Sequence, residues 1–199
     1  MFSPSILQYR LQFEDCKPMG TPMMVGCKLN KEDDSKYFDQ RTYRSMIGSL
    51  LYVTASRPDV KQAVGMVARF QLAPKETHVL AVKRIFKYLK GTMNLGLWYP
   101  SKKSFSLRAY SDADWAGCVD DRKSTSVGAF FLGESFVAWI SKKQTSISLS
   151  TAEAEYISAT KCCTQLEWMN QTLKYIKIIF EEPTVIHCDN TSAISLSKN

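Results

Sequence analysis

The chain has 199 residues, 45% of them hydrophobic, and a formal net charge of +7 from 26 Lys and Arg against 19 Asp and Glu. That length suits one sizeable globular domain or two smaller units, and no segment is apolar for long enough to suggest a membrane-spanning protein. The charge is uneven: residues 1–105 carry 17 basic against 8 acidic side chains and residues 106–199 carry 9 against 11, so a basic piece suited to an anionic partner precedes one in which carboxylates concentrate.

The start, MFSPSILQYRLQFEDC, holds a short apolar-periodic stretch but lacks the basic flank, sustained apolar run and small-residue cleavage site of a secretory signal. An intracellular location, cytoplasmic or nuclear, without membrane contact is therefore expected. The Pro/Gly-broken passage DCKPMGTPMMVGCKLNKEDDSKYFD reads as loop. From Asp39 the spacing predicts three helices: DQRTYRSMIGSLLYVTAS, RPDVKQAVGMVARFQLA with Pro58 near its start, and PKETHVLAVKRIFKYLKG, for which Gly91 is the expected C-terminal cap. Lys83, Lys87 and Lys90 fall at i, i+4 and i+7 on the third helix and make a cationic stripe. Such a stripe is either a solvated face or a phosphate-binding one. The ten basic side chains against two acidic ones between Arg57 and Lys103 favour nucleic-acid contact.

Beyond Ser104 the pattern becomes β-like. SFSLRAYSD reads as a strand, and SVGAFFLGESFVAWISKK as a hairpin turning at Gly133-Glu134, with Phe130, Phe131, Val137 and Trp139 as its apolar side chains. A long helix follows, opened by the capping pattern SLSTAEAEY, with an apolar stripe through Ala152, Tyr156, Ala159, Cys163, Leu166, Leu173 and Ile176. Pro183 then leads into a short strand, TVIHCD, and NTSAISLS opens a last helix. The expected order is β-β-β-α-β-α.

A helix between two strands normally crosses right-handed and returns the second strand parallel to one already in the sheet. If TVIHCD lies beside SLRAYSD, Asp112 and Asp189 come together at the carboxyl ends of the strands, where α/β sheets bind ligands. Two glutamates on the intervening helix compete as a third acid. With about 100° per residue, Glu155 falls about 50° from the centre of the apolar stripe and Glu153 about 110°, so Glu155 leans towards the sheet. Three carboxylates gathered without a basic partner repel one another unless cations bind, and an all-oxygen site suits Mg²⁺ or Mn²⁺. Paired ions of this class support phosphodiester hydrolysis. Six cysteines (Cys16, Cys27, Cys118, Cys162, Cys163 and Cys188) lack CxxC spacing and two histidines accompany them, so reduced, mostly buried thiols are expected rather than a zinc cluster.

LRAYSDADWAGCVDDRKSTSVGAFFLGESFVAWISKKQTSISLSTAEAEYISA, followed by IHCDNTSAISLSKN, resembles the ribonuclease H domain of Ty1/copia-type retrotransposon polyproteins. Upstream, EDCKPMGTPM, YRSMIGSLLYVTASRPDVKQAVGMVARF and PKETHVLAVKRIFKYLKGT resemble the thumb and connection of the same element's reverse transcriptase. The resemblance covers nearly the whole chain. It implies a ribonuclease H-like mixed α/β sheet over residues 104–199, preceded by a mainly helical basic segment over residues 1–103. It also implies catalysis and Mg²⁺ or Mn²⁺ ligation by Asp112, Glu155 and Asp189, acting on the RNA strand of an RNA–DNA hybrid.

Asp114 is expected as a turn residue or an outer neighbour of the metal, Trp139 in the core, and Lys142 and Lys143 either on phosphate or at a solvated strand end. The family's Ser-Gly-Tyr stands here as Ser126-Val127-Gly128, a departure that would shift the first hairpin strand. In the family the domain continues past the position of Asn199 with a His-bearing segment, a strand and a helix bringing a fourth acid, so weak or absent activity is expected, together with no polymerase activity and a partner in the rest of the polyprotein. The alternative is a non-catalytic remnant binding nucleic acid or protein, of effector type, although no Arg-x-Leu-Arg motif is present.

Overall fold

A computed structural model describes residues 16–101, 106–180 and 183–198. The apolar-periodic stretch expected over residues 3–13 lies outside the described residues. The chain divides into two compact units, one of residues 16–27 and 32–95, the other of residues 28–31 with those from 96 onward. Among the described residues no helix is long and apolar enough to cross a membrane.

In the first unit Asp39 caps α1 (Gln40–Val53) by accepting the Thr42 N–H at 2.7 Å, and the buried Tyr43, Met46, Ile47 and Leu50 follow one helical face. The stretch from Pro58 is not one even helix. It runs as a 3-10 turn (Pro58–Val60), then α2 (Lys61–Val67), then a second 3-10 turn (Ala68–Phe70), the tightened ends common to short helices. Between these elements the Tyr43 hydroxyl donates to the Val67 carbonyl at 2.8 Å.

The third helix, α3 (Glu76–Gly91), begins where the Lys75 N–H donates to Nδ1 of the fully buried His78, whose ring stacks on Phe70 at 3.9 Å. Gly91 is the last helical residue rather than a left-handed cap, since its φ is not positive. What requires glycine there is a neighbour: a β-carbon at 91 would stand 2.8 Å from Pro18 Cβ. The loop expected upstream is a strap laid along α3, with the Met19 N–H donating to the Lys87 carbonyl at 3.3 Å and Arg84 Nε to the Thr21 carbonyl at 3.2 Å.

The second unit is a four-stranded mixed sheet in the order β3-β2-β1-β4. It is built from β1 (Leu107–Asp114), β2 (Thr125–Leu132), β3 (Ser135–Lys143) and β4 (Val185–His187), with α4 (Thr151–Tyr175) and α5 (Thr191–Leu196). The β-β-β-α-β-α order is as expected. Gly133, with φ 60°, takes the first place of the two-residue hairpin loop, the pattern of a type II′ turn. Leu107, Ala109 and Phe130 point to one face and pack against Cys162, Leu166 and Met169 of α4.

In the pairing of β2 with β3, Phe130 stands opposite Ala138 and Phe131 opposite Phe136, so Val137 is an extra residue in β3, and this bulge lets Phe136 and Trp139, three positions apart, share one face. Away from α4, His187, Tyr110, Phe131, Phe136 and Trp139 form a row across all four strands, with centroids 4.6–5.6 Å apart. Trp139 is accordingly half-buried on that outer face and not in the core, because Ala138 and Ile140 on either side of it take the inward positions.

The buried face of α4 also differs from the expected stripe: Ala154, Glu155, Ser158, Cys162, Leu166 and Met169 are buried, whereas Tyr156, Cys163 and Ile176 are exposed. The inward face of its first turns is small or polar, so hydrophobicity misplaces it. Strand β2 runs unshifted through Ser126-Val127-Gly128. At Gly128 a β-carbon would stand 2.8 Å from Cys162 Sγ and 2.9 Å from Ile140 Cγ1. Gly128→Ala is expected to cost about 1–3 kcal/mol in chemical denaturation, and less in a Cys162→Ala background, where the sulfur is gone; an equal cost in both backgrounds would refute this close approach.

Candidate metal centre

Strand β4 runs parallel to β1, with Arg108, Ala109 and Tyr110 opposite Val185, Ile186 and His187. The Tyr110 and His187 rings stack at 4.6 Å and hold this register from the outer face. Two residues further along both chains stand Asp112 and Asp189, so neighbouring segments about 4.8 Å apart each bring a carboxylate to the same rim. Strand β4 ends early because Asn190 turns the chain into α5, its Oδ1 accepting the Ala193 N–H at 2.9 Å.

The third carboxylate comes from the first turns of α4. Ser150 caps that helix by accepting the Glu153 N–H at 3.1 Å, and the Glu153 carboxylate accepts the Leu149 N–H at 2.7 Å. Glu153 is thereby spent on the helix start. Glu155 points inward and is 7% exposed. Its Oε1 accepts the Ala113 N–H at 2.9 Å, while Oε2 is buried without a hydrogen-bond partner. Ser158, on the same face, donates to the carbonyls of Asp112 at 2.7 Å and Val127 at 3.2 Å and latches the helix to the two strands.

Burial raises the Glu155 pKa, and the neighbouring charges of Asp112 and Asp189 raise it further against the opposing Ala113 N–H. Among the described residues none of the three carboxylates forms an ion pair with Lys or Arg. A buried carboxylate oxygen without a donor, facing two more acids, is the environment a divalent cation relieves. The donor set therefore fits Mg²⁺ or Mn²⁺. Among the described residues the group whose ligand atoms all lie within 4.8 Å of one another is Glu155, Asp189 and Cys188; Asp112 is not part of it.

Asp114 is the last residue of β1, and its carboxylate reaches into the turn that follows. Its Oδ2 lies 1.9 Å from where a β-carbon of residue 117 would be, so Gly117 makes room for the carboxylate, and Ala116 beside it has φ 51°. Trp115 Nε1 donates to the Ser148 carbonyl at 3.1 Å and ties this turn to the approach of α4.

The five lysines divide between the units. In the first, Lys83 is exposed, whereas Lys87 and Lys90 are half-buried and Lys90 Nζ donates to the Cys16 carbonyl at 3.1 Å. In the second, Lys142 is exposed and Lys143 Nζ lies 2.7 Å from Asp121 and 3.0 Å from Cys118 Sγ. Burial opposes ionisation of Asp121, but the Lys143 contact helps carry its carboxyl down to about 2. Lys161, on α4, donates to Ser126 Oγ at 3.2 Å, and burial and the charge of Lys142 lower its pKa.

Sequence reasoning passed over Ser158, Lys161 and Cys188. Ser158 sits three residues after Glu155 and shares its face, a spacing that could have flagged it.

The raised Glu155 pKa fixes the sign of a pH dependence. The folded state binds this proton more tightly than the unfolded chain, so ionisation of Glu155 lowers stability as pH rises through its folded pKa. Without divalent ions Glu155→Gln is expected to be more stable than the native chain near pH 7, by roughly 1–2 kcal/mol, and the two should converge below about pH 4. Thermal melts across pH check this, and a destabilised Glu155→Gln at neutral pH would refute it.

No protein-family model matches the chain, and no solved structure matches it. It is 40% identical over 183 residues, 92% of its length, to the retrovirus-related Pol polyprotein from transposon RE1 of Arabidopsis thaliana, of which it spans 12%. It is 36% identical over 197 residues, 96% of its length, to the retrovirus-related Pol polyprotein from transposon TNT 1-94 of Nicotiana tabacum, of which it spans 15%. A shorter relative, the secreted RxLR effector protein 161 of Plasmopara viticola, is 39% identical over 128 residues, 64% of this chain and 90% of that protein. With two Pol polyproteins aligned over nearly all its length, the chain belongs to the retrovirus-related Pol polyproteins of copia-type transposons, as a segment of that family.

Proposed function

We propose that residues 104–199 form a ribonuclease H-like domain that hydrolyses the RNA strand of RNA–DNA hybrids, and that residues 1–103 are the thumb and connection of the same polyprotein's reverse transcriptase. The observation that carries this reading is the buried Glu155 on α4, whose Oε2 has no hydrogen-bond partner and whose pKa the nearby charges of Asp112 and Asp189 help to raise. Membership in the Pol family agrees with it.

Asp112, Glu155 and Asp189 would hold Mg²⁺ or Mn²⁺. When bound, such ions supply an activated water and neutralise charge at a phosphodiester. The Ala113 N–H orients Glu155 through one oxygen and leaves the other facing the acids. The Ser158 latch keeps the backbone of Asp112 fixed to the helix that carries Glu155. Lys83, Lys87, Lys90, Lys142 and Lys143 are the proposed phosphate contacts; the exposed Lys83 and Lys142 are the readiest of them.

A second reading draws on the effector relative, of which the chain spans 90%: a binding protein without chemistry. One assay separates the two. The full chain with Mg²⁺ is expected to cleave the RNA of a labelled hybrid only weakly, and a DNA duplex not at all, and Asp189→Asn should slow this by at least the roughly 10–100-fold that weakening a metal site costs. Cleavage that survives Asp189→Asn would overturn the site. Hybrid binding that falls steeply with salt, without cleavage or metal dependence, would overturn the nuclease reading in favour of the binding protein.

A further inference from the structure

We propose that the same rim binds Zn²⁺, or another thiophilic divalent ion, through Glu155, Cys188 and Asp189, and that this ion competes with Mg²⁺ there. The inference rests on the carboxylate cluster of the proposed function but not on nuclease activity.

Side chains along β4 alternate between the two faces of the sheet. Ile186 packs against the core beneath α4 and His187 stacks on Tyr110 at the outer face, so Cys188 returns to the α4 side, where Glu155 lies. Its sulfur is half-buried and reduced, with a weak approach of 4.0 Å to the Asn190 carbonyl. One ligand atom from each of Glu155, Cys188 and Asp189 lies within 4.8 Å of the others. Bonds of about 2.0–2.3 Å around a tetrahedral zinc place its donors roughly 3.3–3.8 Å apart. The remaining ångström is within reach of rotation at Asp189, which is exposed.

The independent sign of a missing ligand is Glu155 Oε2, an unpartnered oxygen on a side chain 7% exposed. Mg²⁺ satisfies it and leaves the thiol aside, because a hard ion takes oxygen donors. Zn²⁺ takes oxygen and sulfur together, with the thiol proton released to solvent. The ligands come from a helix and a strand end far apart in the chain, which is why no Cys spacing announces them.

The test uses the full chain and no nucleic acid. Co²⁺ and Cd²⁺ serve as spectroscopic probes, and Zn²⁺ affinity is measured by competition with a chelating dye. The native chain is expected to show a thiolate-to-metal charge-transfer band saturating at one equivalent. Cys188→Ser should abolish that band and weaken Zn²⁺ about tenfold or more, while Cys163→Ser, altering an exposed thiol, should keep it. Glu155→Gln should weaken Zn²⁺ but retain the band, which separates loss of a ligand from loss of the fold.

A native chain without the band, or a Cys188→Ser chain that keeps it, overturns the proposal. Zinc bound through Cys188 by a chain that cleaves no hybrid would refute the nuclease reading alone, and cleavage by a chain lacking the Cys188-dependent band would refute the zinc site alone.

Discussion

The second unit depends on the seam between α4 and the paired strands β1 and β2. Ser158 reaches the carbonyls of Asp112 and Val127, which face each other across those strands, and Glu155 accepts the next N–H along β1. A buried hydroxyl satisfied by two carbonyls and a carboxylate satisfied by an amide replace apolar packing over the first turns of the helix. Further along, Cys162, Leu166 and Met169 take over with ordinary hydrophobic contact. Polar specificity sits at the rim and apolar adhesion lies behind it.

A buried network tightens the same end of the sheet. Gln144 donates to Ser126 Oγ and to the Ala154 carbonyl, and its own carbonyl accepts from Ser148. The loop between β3 and α4 is therefore held by side-chain amides where no ladder continues. Its placement governs the entry angle of α4 and hence where Glu155 arrives. Such networks reward complete satisfaction and penalise partial loss, which makes Gln144 as much a part of the site's geometry as any residue on its surface.

Much of this was legible in the sequence because the relevant signals are local. The capping pattern SLSTAEAEY marks the start of α4, where Ser150 accepts the Glu153 N–H, whereas the Asn190 cap of α5 is a finding of the structure. The Gly133 turn and the period-two runs around it marked the hairpin, and the crossover rule put Asp112 beside Asp189. Helical spacing turns Glu155 inward even though the expected stripe is off-centre, with Tyr156 and Cys163 exposed. The angular margin was wide enough to absorb that error.

What escaped depends on partners distant in the chain. The extra residue Val137 in β3 sets the face of Trp139, the close approach of Pro18 explains Gly91, and the Cys16 carbonyl engages Lys90.

The turn after β1 has an electrostatic corollary. By lying in the space of an absent methyl group at Gly117, the Asp114 side chain is parked in the turn that follows it, which leaves three carboxylates at the rim. Under the proposed reading, three such anions and one phosphodiester total four negative charges, the sum neutralised by a pair of divalent cations. A glycine thus helps to set the electroneutrality of the loaded assembly.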